Sequence, residues 1–310
     1  MRMYKWTLGI INLSILVASG CGVTADAQEG DVEQALTADF TDASGTVTVR
    51  IKQCALTASQ EVNTTTCPVD SGFVLIGGGA EIFGEGSPGA LLTASFPDLG
   101  LTTWTASSKD HRLTFFHQLR AYSVGLKLAG VTASTLRANM AVVSVRSTPS
   151  EHPSTGISVP GGFNLVSGGA RANWVTEGQL LTRSIPSGFQ WLAASKDHDV
   201  AEVGTVDAFA IGLTSGTIPG FGSIDVNVGQ TSTSVSTGYG TANRIVPAGF
   251  VLASIGGDAQ FNGAGRMLTD LIPFGDAPSD IAAGATVTSK DHKFQDSGIT
   301  TAYVVAIRKH

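Results

Sequence analysis

Charge is scarce in this chain. Only 14% of its 310 residues are Asp, Glu, Lys or Arg, and aromatics make up 7%. With 42% apolar residues, that composition excludes a globally disordered chain, which combines low hydrophobicity with high charge. Basic residues are the scarcer sign, 19 against 25 acidic ones, which argues against a nucleic-acid partner and against electrostatic adhesion to anionic lipid. No stretch carries a helical stripe, so long amphipathic helices are not expected. Cysteine is limited to three residues, none in a Cys-x-x-Cys spacing, which removes the usual framework of a structural zinc site. A Gly-x-Ser-x-Gly nucleophile elbow is also missing. What the chain does have is glycine, 38 residues of it, set among Thr, Ser and Val. That mixture suits short strands joined by tight turns, so the expected fold class is all-β.

The amino terminus departs from this pattern. Arg2 and Lys5 precede an apolar stretch from Leu8 to Val17, which has signal-peptide length and is too short to span a bilayer. It ends in Leu16-Val17-Ala18-Ser19-Gly20-Cys21, a run that resembles the lipobox of bacterial lipoproteins. The resemblance implies that residues 1–21 are a signal peptide with lipobox, that Cys21 carries the lipid, and that the membrane is reached through that anchor only. Gly22, rather than Asp, follows the cysteine, which implies the outer membrane or cell surface. Ala18 stands where the motif more often has Leu, so ordinary cleavage near Ala25 or Ala27, and hence secretion, stays open. Without the signal the balance is 17 basic residues against 25 acidic, a net charge of −8. Residues 22–45 hold Asp26, Glu29, Asp31, Glu33, Asp39 and Asp42 with no Lys or Arg, and read as a flexible acidic tether. In an exported, oxidising setting, setting Cys21 aside leaves Cys54 and Cys67 as an even pair, and a disulfide between them is expected. Closing so short a loop contributes about 3 kcal/mol on the chain-entropy model. Two free thiols or half a metal site are the alternatives.

The rest of the chain repeats itself. Gly72-Phe73-Val74-Leu75, Gly77-Gly78-Gly79-Ala80, Leu91-Leu92-Thr93, Ser95-Phe96-Pro97, Trp104, Ser108-Lys109-Asp110-His111 and Ala121-Tyr122 are followed by a second series. That series is Gly162-Phe163-Asn164-Leu165, Gly168-Gly169-Ala170, Leu180-Leu181-Thr182, Ser184-Ile185-Pro186, Trp191, Ser195-Lys196-Asp197-His198 and Ala208-Phe209. A third holds Gly249-Phe250-Val251-Leu252, Gly256-Gly257-Asp258-Ala259, Met267-Leu268-Thr269, Ile272-Pro273, Ser289-Lys290-Asp291-His292 and Ala302-Tyr303, without the tryptophan. The Gly-Phe landmarks lie 90 and 87 residues apart and the Lys-Asp-His landmarks 87 and 94, so order and spacing agree over nearly the whole chain. This run resembles β-rich repeats of secreted bacterial proteins, a likeness that brings no catalytic residues with it. The expected organisation is three tandem homologous units, 46–136, 137–222 and 223–310, each a small antiparallel sandwich or barrel of five or six strands, closely packed on one another. Alternating segments at Thr46–Ile51, Met140–Val145 and Ile224–Val228 lead each unit.

The chemistry-bearing candidates sit at matching places. The glycine run at 77–79 lacks a helix start and a following Lys-Ser or Lys-Thr, so a bulge or a close backbone approach explains it better than a phosphate cradle. The Ser-Lys-Asp-His tetrads end a strand in every copy, which makes Lys109, Asp110, His111, Lys196, Asp197, His198, Lys290, Asp291 and His292 candidate ligand contacts. Adjacent Asp and His on a strand point to opposite faces and do not readily pair as a catalytic dyad. Three readings follow in descending order: the tetrads hold turns and packing, they contact a ligand multivalently, or they catalyse. Trp104 and Trp191 are candidates for stacking a sugar ring, or else core aromatics. His111, His198 and His292 converge on a metal only if the copies pack about a common axis. No metal or other cofactor is expected. The function expected is a non-enzymatic binding or adhesion protein with a surface glycan or protein as partner. A structural role in the envelope or extracellular matrix is the alternative, and an exported hydrolase the third.

Overall fold

The computed structural model describes residues 37–84, 89–275 and 283–310. Cys21, the signal segment and the first part of the acidic stretch lie outside the described residues. The end of the acidic stretch supplies β1 (Thr37–Thr41), and the first copy supplies β2 (Val47–Gln53), β3 (Val62–Pro68), β4 (Val74–Phe83), β5 (Leu91–Pro97), β6 (Thr103–Lys109) and β7 (Gln118–Leu128). A short helix, α1 (Ala133–Ala138), starts where Thr132 Oγ1 accepts the Thr135 N–H. The second copy supplies β8 (Met140–Arg146), β9 (Ser154–Ser158), β10 (Phe163–Asn173), β11 (Leu180–Ser187), β12 (Gln190–Lys196) and β13 (Thr205–Thr214). The third supplies β14 (Ile224–Val235), β15 (Tyr239–Ile245), β16 (Val251–Phe261), β17 (Arg266–Gly275), β18 (Ala283–Asp291) and β19 (Gly298–Lys309).

The fold is all-β and antiparallel, as the composition implied. The copies do not, however, close on themselves as separate sandwiches or barrels. Strands β3-β6-β5 of the first copy continue into β10-β13-β8 of the second, and β9-β12-β11 of the second continue into β16-β19-β14 of the third. Strands β15-β18-β17 of the third return to β4-β7-β2 of the first, with β1 added at the edge. Each copy thus lends a three-stranded piece to its neighbour, and the exchange is cyclic. Glycine makes the joints possible. A Cβ on Gly79 would lie 2.2 Å from the Leu271 carbonyl oxygen, one on Gly169 2.5 Å from that of Ser95, and one on Gly256 2.7 Å from that of Ser184. Only a residue without a side chain lets a foreign backbone come that close.

The same bulge recurs in the long strand of each copy, between Leu75 and Gly77, Leu165 and Ser167, and Leu252 and Ser254. A bulge sharpens the local bend and re-aims one side chain. The bulged residues Ile76, Val166 and Ala253 are fully buried, and beside them the Ser167 hydroxyl donates to Ser254 Oγ at 2.9 Å. A Cβ on Gly77 would lie 2.3 Å from the Ala253 carbonyl oxygen, so the three long strands meet in the middle of the molecule. A second bulge recurs between Leu92 and Ala94, Leu181 and Arg183, and Leu268 and Asp270. It leads to Leu91, Leu180 and Met267, which form an apolar cluster with one member from each copy. The main core is one contiguous cluster drawn from all three copies.

Two further expectations meet the structure here. Cys54 and Cys67 are joined by a disulfide with Cα atoms 5.5 Å apart, tying the end of β2 to β3 in the adjoining sheet. The acidic stretch 22–45, expected to be flexible throughout, is ordered at its end: Thr37–Thr41 pairs with β2 along its whole length. Arg50 clasps Asp39, and the Asp42 carboxylate accepts the N–H groups of Thr46, Val47 and Lys309. Its acidic residues are therefore partly structural, serving as turn acceptors and ion-pair partners.

Candidate functional site

The tetrads sit at the ends of β6, β12 and β18, where the strand gives way to a tight turn. In each copy the residue after the histidine, Arg112, Asp199 or Lys293, has a positive φ of 61°, 62° or 60°. The histidine carbonyl receives the N–H two residues on at 2.6–2.7 Å. The half-buried aspartate then accepts the N–H five residues on: Asp110 from Phe115 at 3.2 Å, Asp197 from Glu202 at 3.1 Å, Asp291 from Asp296 at 3.2 Å. Each Asp therefore serves its own turn rather than the adjacent His, as the strand geometry required.

The serines are buried and bonded inward. Ser108 Oγ meets His117 Nε2 at 2.8 Å, Ser195 Oγ donates to Gln179 Oε1 at 2.7 Å, and Ser289 Oγ meets Thr300 Oγ1 at 2.6 Å. The lysines are buried too, and two of them visibly reach into the neighbouring copy. Lys109 Nζ donates to the Thr176 and Glu177 carbonyls and lies 4.2 Å from the Trp174 ring centroid. Lys196 Nζ donates to the Ala264 carbonyl and lies 3.9 Å from the Phe261 ring. Lys290 lies 5.7 Å from the Tyr239 ring. Burial pulls all three ammonium groups down to a pKa of about 8, against the pull of Glu202, Glu177 and Asp110 on Lys109, Asp296 and Asp197 on Lys196, and Asp270 on Lys290.

The three histidines come together. His111, His198 and His292 are 1–2% exposed, with ring centroids 5.3, 5.4 and 5.4 Å apart and ring planes inclined by 55–67°. Nδ1 of His111 lies 2.8 Å from the Glu177 carbonyl and Nδ1 of His198 3.0 Å from that of Ala264. Nε2 of His198 lies 2.7 Å from the His292 carbonyl, and Nε2 of His292 2.7 Å from that of His111. Nε2 of His111 faces the His198 carbonyl without closing a hydrogen bond among the described residues. Burial lowers the pKa of His111 and His198, against the raising effect of the carbonyls around them. On the surface above, the Asp199 carboxylate holds Arg112 and Lys293.

Trp104 and Trp191 are core residues, 2% and 0% exposed. Their Nε1–H groups donate to Ser95 Oγ at 2.9 Å and Ser184 Oγ at 3.0 Å, and neither ring is open to a sugar. Sequence reasoning missed the carboxylates that order the facing loops. Glu202 accepts the N–H groups of Val175, Thr176 and Gly178, and Asp296 those of Asn262, Gly263 and Gly265. The signal was an acid four residues after the histidine in copies two and three, with Phe115 there in copy one.

It also missed a cleft at the joint between the first and second copies. This opening, of about 530 Å³, is lined by Phe96, Leu99, Arg146, Arg171, Asp207 and Phe209 among others. Phe96 and Phe209 stack at 4.8 Å, with the Arg171 guanidinium 5.2 Å from the Phe96 ring. Asp207 accepts from Arg146 at 2.7 and 3.1 Å and from Arg171 at 2.5 and 2.9 Å. Burial raises its pKa, the two arginines lower it, and the net shift is downward, so it stays ionised. No protein-family model and no curated protein matches the chain.

Proposed function

We propose that the protein is an exported, non-enzymatic binding protein whose Ser-Lys-Asp-His tetrads hold the fold together and whose ligand surface is the cleft at the first joint. The lipobox-like segment supports anchorage at the bacterial surface through a lipid on Cys21, with secretion as the outcome if the anchor is not used. The observation that carries the reading is the contrast between the two sets of polar side chains. The tetrad groups are turned inward and spent on neighbouring backbone, whereas Arg146 and Arg171 stay 58% and 40% exposed at the side chain around a buried Asp207. Planar donors held by a fixed carboxylate, beside aromatic and aliphatic faces on a rigid sheet, are the elements that bind a saccharide: hydrogen-bond forks for hydroxyls and ring faces for C–H groups.

The test is titration of the purified chain against a panel of oligosaccharides, with Arg171→Ala as the variant. A bound sugar whose affinity falls by about tenfold or more in a folded Arg171→Ala protein supports the reading. A panel without any binder, or binding indifferent to the substitution, refutes it. The second reading, a structural component of the envelope or matrix, draws support from the tetrads' burial and predicts that refutation. An exported hydrolase has the least support, since the Ser108–His117 pair is enclosed and each tetrad Asp is committed to its own turn.

A further inference from the structure

The histidine triad has more acceptors around it than protons to give. A neutral imidazole carries one N–H, yet His198 has carbonyl oxygens at both nitrogens, Ala264 at 3.0 Å and His292 at 2.7 Å. His111 has the Glu177 carbonyl at Nδ1 and faces that of His198 at Nε2. When Nδ1–H donates to the loop, the Nε2 lone pair is left pointing at another oxygen, a contact that repels. Protonating all three rings would remove the repulsion only by placing three positive charges within 5.4 Å of one another in a buried site.

One cation shared by three lone pairs resolves the same conflict with a single ion. Donation of Nδ1–H to a backbone carbonyl is the arrangement that fixes the tautomer and orients metal-binding histidines. The ring spacing fits as well. Three imidazoles bound at about 2.0–2.1 Å in tetrahedral to trigonal geometry carry their centroids about 5.2–5.5 Å apart, against 5.3–5.4 Å here. The candidate ligand atoms lie within 4.8 Å of one another, whereas such bonds need about 3.4–3.6 Å. The rings therefore have to turn inward about their centres, exchanging the carbonyl contact for the ion. Carboxylates near each lysine, Glu202 and Asp110 by Lys109, Asp296 and Asp197 by Lys196, and Asp270 by Lys290, offset the charge of the surrounding ammonium groups.

We propose that His111, His198 and His292 form a binding site for a divalent transition metal of the zinc class, one ligand from each copy, which locks the cyclic exchange at one end of its axis. This goes beyond the ligand reading of the cleft and does not depend on it.

The test uses the full chain, stripped with a chelator and titrated with Zn2+ alone, read by calorimetry and by the ring resonances of its six histidines. The expected result is one ion per chain, with shifts confined to three of the six. Co2+ in place of Zn2+ should give the strong visible absorption of a four-coordinate site. His198→Gln, checked for folding by circular dichroism, should weaken binding at least tenfold, while His152→Ala leaves it intact. The proposal is overturned by the absence of heat and of ring shifts, by shifts at His152 or His310 instead, or by binding that survives His198→Gln. If that variant does not fold, the ring resonances of the unmodified chain decide the question.

Discussion

The first two copies and the third fill the same space with different side chains. In copies one and two an indole, Trp104 or Trp191, lies against a glycine: a Cβ on Gly78 or Gly168 would sit 2.3 Å from ring atoms. Its Nε1–H is taken by Ser95 or Ser184, and the alanines Ala106 and Ala193 leave room beside it. In copy three the strand register puts Ala285 opposite Pro273, where the tryptophans face Pro97 and Pro186. The same register replaces the serine by Leu271 and the small alanine by Val287. The donor and its acceptor are lost together, which avoids leaving a buried polar group unpaired. The place of Gly78 and Gly168 is taken by Ile255, 3% exposed, so the lost indole volume returns as three aliphatic side chains, Ile255, Leu271 and Val287. A core sets volume and polar pairing, and several side-chain sets meet both conditions.

The largest expected effect breaks this compensation. Trp104→Ala alone should cost about 3–5 kcal/mol by opening a cavity, measured by denaturant unfolding. Adding Gly78→Ile, Ala106→Val and Ser95→Leu imports the copy-three solution and should recover a substantial part of that loss; no recovery would mean the sets are not interchangeable. A smaller effect sharpens the same contrast. Gly78→Ala meets an indole and, at 2.4 Å, the Tyr122 carbonyl, so it should cost about 1–3 kcal/mol. Gly257→Ala, at the place where copies one and two already carry Ala80 and Ala170, meets only side-chain methyl groups and should cost clearly less in the same assay.

The smallest effect compares two joints under acid. Asp207, at the joint of copies one and two, has its pKa held low by Arg146 and Arg171 against burial. Its contribution is present above the ordinary carboxylate pKa and is lost as pH falls through the lower folded value. Asp270, at the joint of copies three and one, has its pKa raised by burial, so its ionised form opposes folding and protonation relieves the cost. Hydrogen exchange on acidification below the ordinary carboxylate pKa should loosen β13 while leaving β17 unchanged or tighter. The opposite order would contradict both assignments.

Much of this was legible in the residues themselves. The alternation of Val47, Val49 and Ile51 and the paired Cys54 and Cys67 announced strands and a cross-link, because each is a local signal. The glycines at 77–79 announced a close approach without saying to what. The partner is backbone from another copy, and strand exchange at Gly79–Leu271 is a pairing some 190 residues away, which no local period encodes. For the same reason the tetrads read first as holding turns and packing without showing against what: Lys109 and His111 are spent on Glu177, and Lys196 and His198 on Ala264, of the next copy. The cleft was invisible because Phe96, Arg146, Arg171 and Asp207 come from four strands of two copies.

The central claim is that each tetrad clasps the following copy. Lys196→Met in the full chain, followed by hydrogen exchange, tests it most directly. The account predicts lost protection in the loop around Ala264, whose carbonyl Lys196 and His198 share, ahead of any loss in the variant's own strand β12. Unchanged protection at that loop, with loosening confined to the second copy, would contradict it.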